Sequence, residues 1–161
     1  MLHSRLITVL ITFGLLAVGC GWSPPSAPPP KTQACAPSDA PSAETVQQAI
    51  AGLPPGLPWR ESSRGHTPDC RLNWVVATGE KGGPDSPQQV LFFDRNNPLG
   101  SATPEPRPYI TVTTLGDDTV NVQYQWRQGG DEPCCPTGIG TVRFRVGDDG
   151  KLNALDPIPK P

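Results

Sequence analysis

The sequence predicts an α+β fold: a single small domain in which an antiparallel meander of five or six strands packs against one short N-terminal helix, with two disulfides. Three observations predict it. The stretch SAETVQQAIAGL at 42–53 carries apolar residues at helical spacing. From Cys70 onward the apolar residues recur at every second position instead. Proline (22 residues) and glycine (17 residues) cut the chain into short segments, which favours strands and turns over long helices.

The chain opens MLHSRLITVLITFGLLAVGC. Arg5 precedes an apolar run at 6–18, and small residues lead to Cys20. This is the pattern of a secretory leader over residues 1–19. The run is shorter than the roughly 20 apolar residues a spanning helix needs, so no transmembrane helix is expected in the mature chain. Leu16-Ala17-Val18-Gly19-Cys20 resembles a bacterial lipobox, in which the cysteine takes a diacylglyceryl group and becomes the new N-terminus. The pattern prefers leucine three places before the cysteine, where this chain has Ala17. A diacylated Cys20 supplies the two chains that stable anchoring requires.

Residues 20–33, including GWSPPSAPPPK, are mostly proline and serine. Proline fixes φ and removes a backbone donor. The segment therefore reads as a semi-extended tether of about 3.1 Å per residue, reaching about 30–40 Å from the lipid surface. Residues 34–161 then suffice for one globular domain. Loss of Arg5 leaves 12 basic against 15 acidic residues. That balance gives no electrostatic reason to bind nucleic acid or an anionic membrane face. The expected membrane contact is the lipid at Cys20.

Within the domain, Ser42 can cap a helix in which Val46, Ile50 and Leu53 share one face. Gly52 and Pro54-Pro55-Gly56 end it. CRLNWVVAT sets Leu72, Trp74 and Val76 against Arg71 and Asn73, and QQVLFFD is apolar on both faces, as a central strand under the helix would be. YITVTTL, TVNVQYQW and TVRFRV alternate in turn, and a last short strand is expected at 151–155. Gly116-Asp117-Asp118 and Gly147-Asp148-Asp149-Gly150 are tight-turn sequences that imply antiparallel neighbours. The segment 94–108, with four prolines, is expected to be a long loop.

Sites of chemistry are scarce. His66, in the polar stretch SSRGHTPD, is the one histidine after the leader, and it reads as a solvated loop residue. No HExxH, G-x-S-x-G, P-loop or G-x-G-x-x-G occurs. The acidic turns lack the twelve-residue ligand spread of a calcium loop, and Asp131 and Glu132 read as solvating an exposed loop. No cofactor or metal is expected. Trp74, Phe92 and Trp126 are candidates for an aromatic binding surface, although aromatics at strand spacing more often fill a core.

Outside the cytoplasm thiols are normally oxidised. With Cys20 acylated, Cys35, Cys70, Cys134 and Cys135 remain. Adjacent Cα atoms lie about 3.8 Å apart, below the usual disulfide range of about 4.4–6.8 Å. That disfavours a Cys134–Cys135 bond. Two pairings stay open: Cys35–Cys134 with Cys70–Cys135, or Cys35–Cys135 with Cys70–Cys134. Zinc would want C-x-x-C spacing, which the sequence lacks.

Cys70-Arg71-Leu72-Asn73-Trp74-Val75, Gln89-Val90-Leu91-Phe92-Phe93, Leu99-Gly100, Tyr124-Gln125-Trp126, and Cys134-Cys135-Pro136-Thr137-Gly138 followed by Thr141-Val142-Arg143-Phe144 resemble the LppP/LprE lipoprotein family of mycobacteria and related actinobacteria. The resemblance covers roughly residues 34–155. It implies an envelope lipoprotein on the extracytoplasmic face of the plasma membrane, and it supplies no catalytic or binding residues. Anchor, tether and absent catalytic constellation together predict a non-enzymatic binding or interaction module with an envelope lipid or protein partner. The alternative is a carrier holding a lipid or glycolipid in an apolar cavity. A hydrolase is the weakest reading.

Overall fold

A computed structural model describes residues 34–81 and 83–160. The expected leader, Cys20 and the tether lie outside the described residues. No helix among those described is long and apolar enough to cross a membrane.

The helix α1 (Ala43–Ala51) begins where Ser42 accepts a hydrogen bond from the Thr45 amide at 3.1 Å, filling one of the free N-terminal donors. It ends at Gly52, whose amide donates to the Ala49 and Ile50 carbonyls. Val46, Ile50 and Leu53 bury their shared face against Val75, Ala77, Leu91 and Phe93.

The strands form two sheets. The first is β1 (Trp59–His66), β2 (Leu72–Gly79), β3 (Gln88–Asp94) and β4 (Asn97–Ser101), and the second is β5 (Ile110–Leu115), β6 (Thr119–Trp126), β7 (Gly138–Val146) and β8 (Leu152–Ala154). Each is an antiparallel meander in chain order. Leu72, Val76, Val90 and Phe92 of the first sheet meet Val120, Val122, Tyr124, Val142 and Phe144 of the second. Phe92 and Phe144 touch at a ring separation of 5.0 Å.

The fold is thus a two-sheet sandwich with α1 on the outer face of the first sheet. This corrects the expectation of one sheet of five or six strands, while α+β stands. Alternation shows that one side of a strand is buried, not what covers it. For β5–β7 the cover is the first sheet. Strands β2 and β3 lie between α1 and the second sheet, so both faces are apolar.

Two strands lie where loops were expected. β1 ends at His66, and β4 interrupts the proline-rich segment. Both are edges, where Pro98 costs no ladder bond and a bulge between Glu61 and Ser63 breaks the register.

The chain crosses between sheets at 102–109. Buried Gln89 donates to the Thr103 carbonyl at 2.9 Å, and Thr103 donates to the Glu105 carbonyl at 2.7 Å. Gln88 and Arg107 exchange both backbone hydrogen bonds at 2.9 Å, and the Gln88 side chain accepts from the Ile110 amide at 2.9 Å. These bonds satisfy polar groups of a crossing whose first residues, Ala102 and Thr103, are buried.

Cys35 is bonded to Cys70, with Cα atoms 5.5 Å apart, and Cys134 is bonded to Cys135. Neither expected pairing occurs. The reason is position along the sandwich. Cys70 sits beside the β5–β6 turn, where the Asp69 amide donates to Asp117 at 3.0 Å. Cys134 and Cys135 follow the far end of β6, about 23 Å away at the rise of an eight-residue strand. The local segment at 34–39 reaches Cys70, and the adjacent cysteines have only each other.

Phe92→Ala is expected to lower stability by about 3–5 kcal/mol, the usual cost of emptying a buried aromatic site. Leu115→Ala, at a residue 53% exposed, is expected to change it by no more than about 0.5 kcal/mol. Urea midpoints with unchanged slopes check both.

Candidate functional site

At the end of the sandwich where β6 finishes, its last side chains line a concavity of about 420 Å³. It is lined by Tyr124–Arg127, by Arg107–Tyr109 from the crossing, and by Lys81 and Asp85 from the β2–β3 connection. Its size is that of a small-molecule site.

Trp126 pairs with Gly138 across β6 and β7. A Cβ at Gly138 would stand 2.6 Å from the indole Cδ1, so only glycine lets the ring lie flat on β7. Tyr124 is 1% exposed, and its hydroxyl has no hydrogen-bond partner among the described residues. Burial pushes its phenol up to about 12, against the opposing pull of Arg107, so it stays a neutral donor. The Arg107 guanidinium lies 5.3 Å from the Tyr124 ring centroid and donates to the Pro159 carbonyl at 2.7 Å. Tyr109 has φ of 57°, an unfavourable region for a side chain with a Cβ. It is held there by the Gln125 amide, which donates to its carbonyl at 3.2 Å.

The rim connects to the cysteine pair. Tyr109 Oη donates to the Pro133 carbonyl at 2.6 Å, and Arg127 Nε donates to the Asp131 carbonyl at 2.9 Å. Asp131 closes this loop: one carboxylate oxygen accepts from the amides of Gln128 (2.7 Å) and Thr137 (2.8 Å) and from the Thr137 hydroxyl (2.9 Å). The Gln128 amide first, and then the Thr137 groups and the Arg127 charge, hold its carboxyl below the usual range. Asp131 is therefore a clasp rather than a solvating group. Cys134 and Cys135 are both exposed on the clasped loop.

The sequence-predicted aromatics do not form one surface. Phe92 is wholly buried between the sheets. Trp74 lies across Gly65 in a separate hollow of about 250 Å³, beside Arg64 and His66. Trp126 alone reaches the concavity. His66 Nδ1 contacts the Cys35 sulfur at 3.3 Å and the Thr67 carbonyl at 3.0 Å. A bonded sulfur has no proton to give, so these contacts assemble no nucleophile and base. Among the described residues no three His, Cys, Asp or Glu side chains are grouped to hold a metal ion. The sequence does not single out Arg107 and Arg127, because nothing in their spacing tells that both line one concavity with Trp126.

Two outcomes are expected. A non-reducing digest should yield a cross-linked Cys35–Cys70 peptide pair and one peptide holding both Cys134 and Cys135, two hydrogens lighter than its reduced form. Any peptide joining the two ends of the sandwich would contradict the pairing. A depressed carboxyl stabilises the fold above its ordinary pKa and loses that contribution as pH falls through the folded value. The Gln128 and Thr137 amide signals should therefore titrate below the ordinary aspartate range in the wild type, and not in Asp131→Asn.

No solved structure matches the chain. Proteins named "Putative lipoprotein LppP" from Mycobacterium bovis and Mycobacterium tuberculosis are each 58% identical over 149 residues, covering 91% of this chain and 85% of the relative. The model of the LppP/LprE lipoprotein family matches residues 64–149, from the end of β1 to the β7–β8 turn, and so takes in both Cys70 and the clasped cysteine pair. With that match and those relatives, the chain belongs to the LppP/LprE lipoprotein family.

Proposed function

We propose that the protein is an exported, non-enzymatic binding module, anchored by lipid at Cys20 on the extracytoplasmic face of the plasma membrane. In this reading residues 1–19 are the leader, 20–33 the tether and 34–161 the domain. Membership of a lipoprotein family implies an envelope-associated protein, and the lipobox-like LAVGC supplies the attachment point.

The observation that carries the binding role is the Trp126 concavity. An indole laid on a bare glycine, a buried hydroxyl without a partner, and arginines at the rim are what a ligand site needs and a purely structural end does not. The space between the sheets is packed with side chains such as Phe92 and Phe144, both at most 2% exposed. That favours a surface-binding module over a carrier with an apolar interior.

The wild-type protein is expected to partition into the detergent phase and Cys20→Ala into the aqueous phase. An aqueous wild type would remove the anchor from the proposal. In native mass spectra of the full chain extracted from envelopes, a bound species is expected with the wild type and lost with Trp126→Ala. Its survival in the variant would move binding away from this concavity.

A further inference from the structure

The charges at the concavity narrow what it takes. Among the described residues Arg60, Arg64, Arg71, Arg95 and Arg143 each pair with a carboxylate. Arg107, Arg127 and Arg145 have no such pair. Arg145 lines a hollow with Asp69, Asp118 and Asp148, so carboxylates surround it. The other two line the Trp126 concavity, whose one carboxylate, Asp85, lies 3.4 Å from Lys81. In a chain with more acidic than basic residues, these two guanidinium groups flank one aromatic hollow, neither in a salt bridge, with the Asp131 carboxylate close enough to Arg127 to be held low by it.

Each guanidinium is already half-oriented. Arg107 spends one nitrogen on the Pro159 carbonyl, and Arg127 spends its Nε on the Asp131 carbonyl. Both keep further N–H donors, and guanidinium donors match the oxygens of phosphate and carboxylate. Trp126 adds a ring face for a flat or apolar body. The backbone pairing of Gln88 with Arg107 fixes the first arginine, and the Asp131 clasp fixes the second. The donors are thus pre-positioned, which reduces the ordering cost of binding.

We infer that the concavity binds a compact oxyanion, phosphate or carboxylate, carried on a flat or apolar body. Arg107 and Arg127 hold the charge and Trp126 covers the body. This rests on the concavity being the binding site. The oxyanion has two sources, a soluble phosphate ester or an anionic lipid headgroup.

The test is an NMR titration of the full chain in neutral detergent micelles, read at the Trp126 indole N–H. Phenyl phosphate is expected to shift this signal, and phenol, its neutral counterpart, to do so at least about tenfold more weakly. Arg107→Gln and Arg127→Gln should each weaken phenyl phosphate by about ten- to hundredfold, the range for losing a charge-assisted hydrogen bond. Unchanged core amide signals show that each variant is folded. Arg127→Gln is the safeguard, since the side-chain hydrogen bond it loses goes to an exposed loop and not to the core. Added salt should weaken binding by screening.

Micelles doped with phosphatidylglycerol, but not with phosphatidylcholine, should shift the same signal if the source is a headgroup. A response to phenyl phosphate alone assigns a soluble ester. Equal responses to phenol and phenyl phosphate, an unmoved Trp126 signal, or two arginine variants that bind like the wild type would each overturn the oxyanion class. If the class fails while Trp126→Ala still removes the native bound species, the binding-site reading stands without it.

Discussion

The contact between the inner faces of the two sheets is the constraint on which everything else depends. A four-stranded sheet with one apolar face cannot remain exposed in water, and each of these sheets supplies the other's cover. Phe92 and Phe144 lie at the centre of that contact. Because β2 and β3 are covered by α1 on their other side, the first sheet is the middle layer. It cannot slip by one residue without turning a whole apolar face outward.

This contact also determines where the concavity lies. Along β6, Val120, Val122 and Tyr124 are buried in the core between the sheets, and Trp126, next in the same row, is only half-buried and lines the concavity. The row that builds the core becomes the floor of a concavity. The crossing at 102–109 passes its rim, because it must climb from one sheet to the other. Arg107 and Tyr109 reach the site as members of that crossing, held by Gln88.

The helix and the strands β2, β3, β5, β6 and β7 were legible because their apolar residues repeat with the period of the backbone they adopt. The short β8 was legible from the turn before it. β1 was not: WRESSRGH is an exposed edge whose hydrogen bonds, not side chains, make it a strand. The division into two sheets was also hidden, since alternation does not name the covering surface. The cysteine pairing failed for a related reason. Facing directions along a strand are local, whereas the separation of Cys70 from Cys134 is set by the length of β6. The site was legible in one residue, Trp126. Its arginines come from segments whose meeting depends on the crossing.

The order of the cysteines has a consequence for oxidation. Among the described residues, a chain emerging N-terminus first presents Cys35, then Cys70, then Cys134 and Cys135, and each first partner is bonded to the next of these cysteines along. The first bridge can close before the second sheet has emerged, and the second pair needs no distant partner. Long-range mispairing would have to span the sandwich from end to end. Consecutive pairing of this kind lets an emerging chain reach its native bonds without reshuffling them.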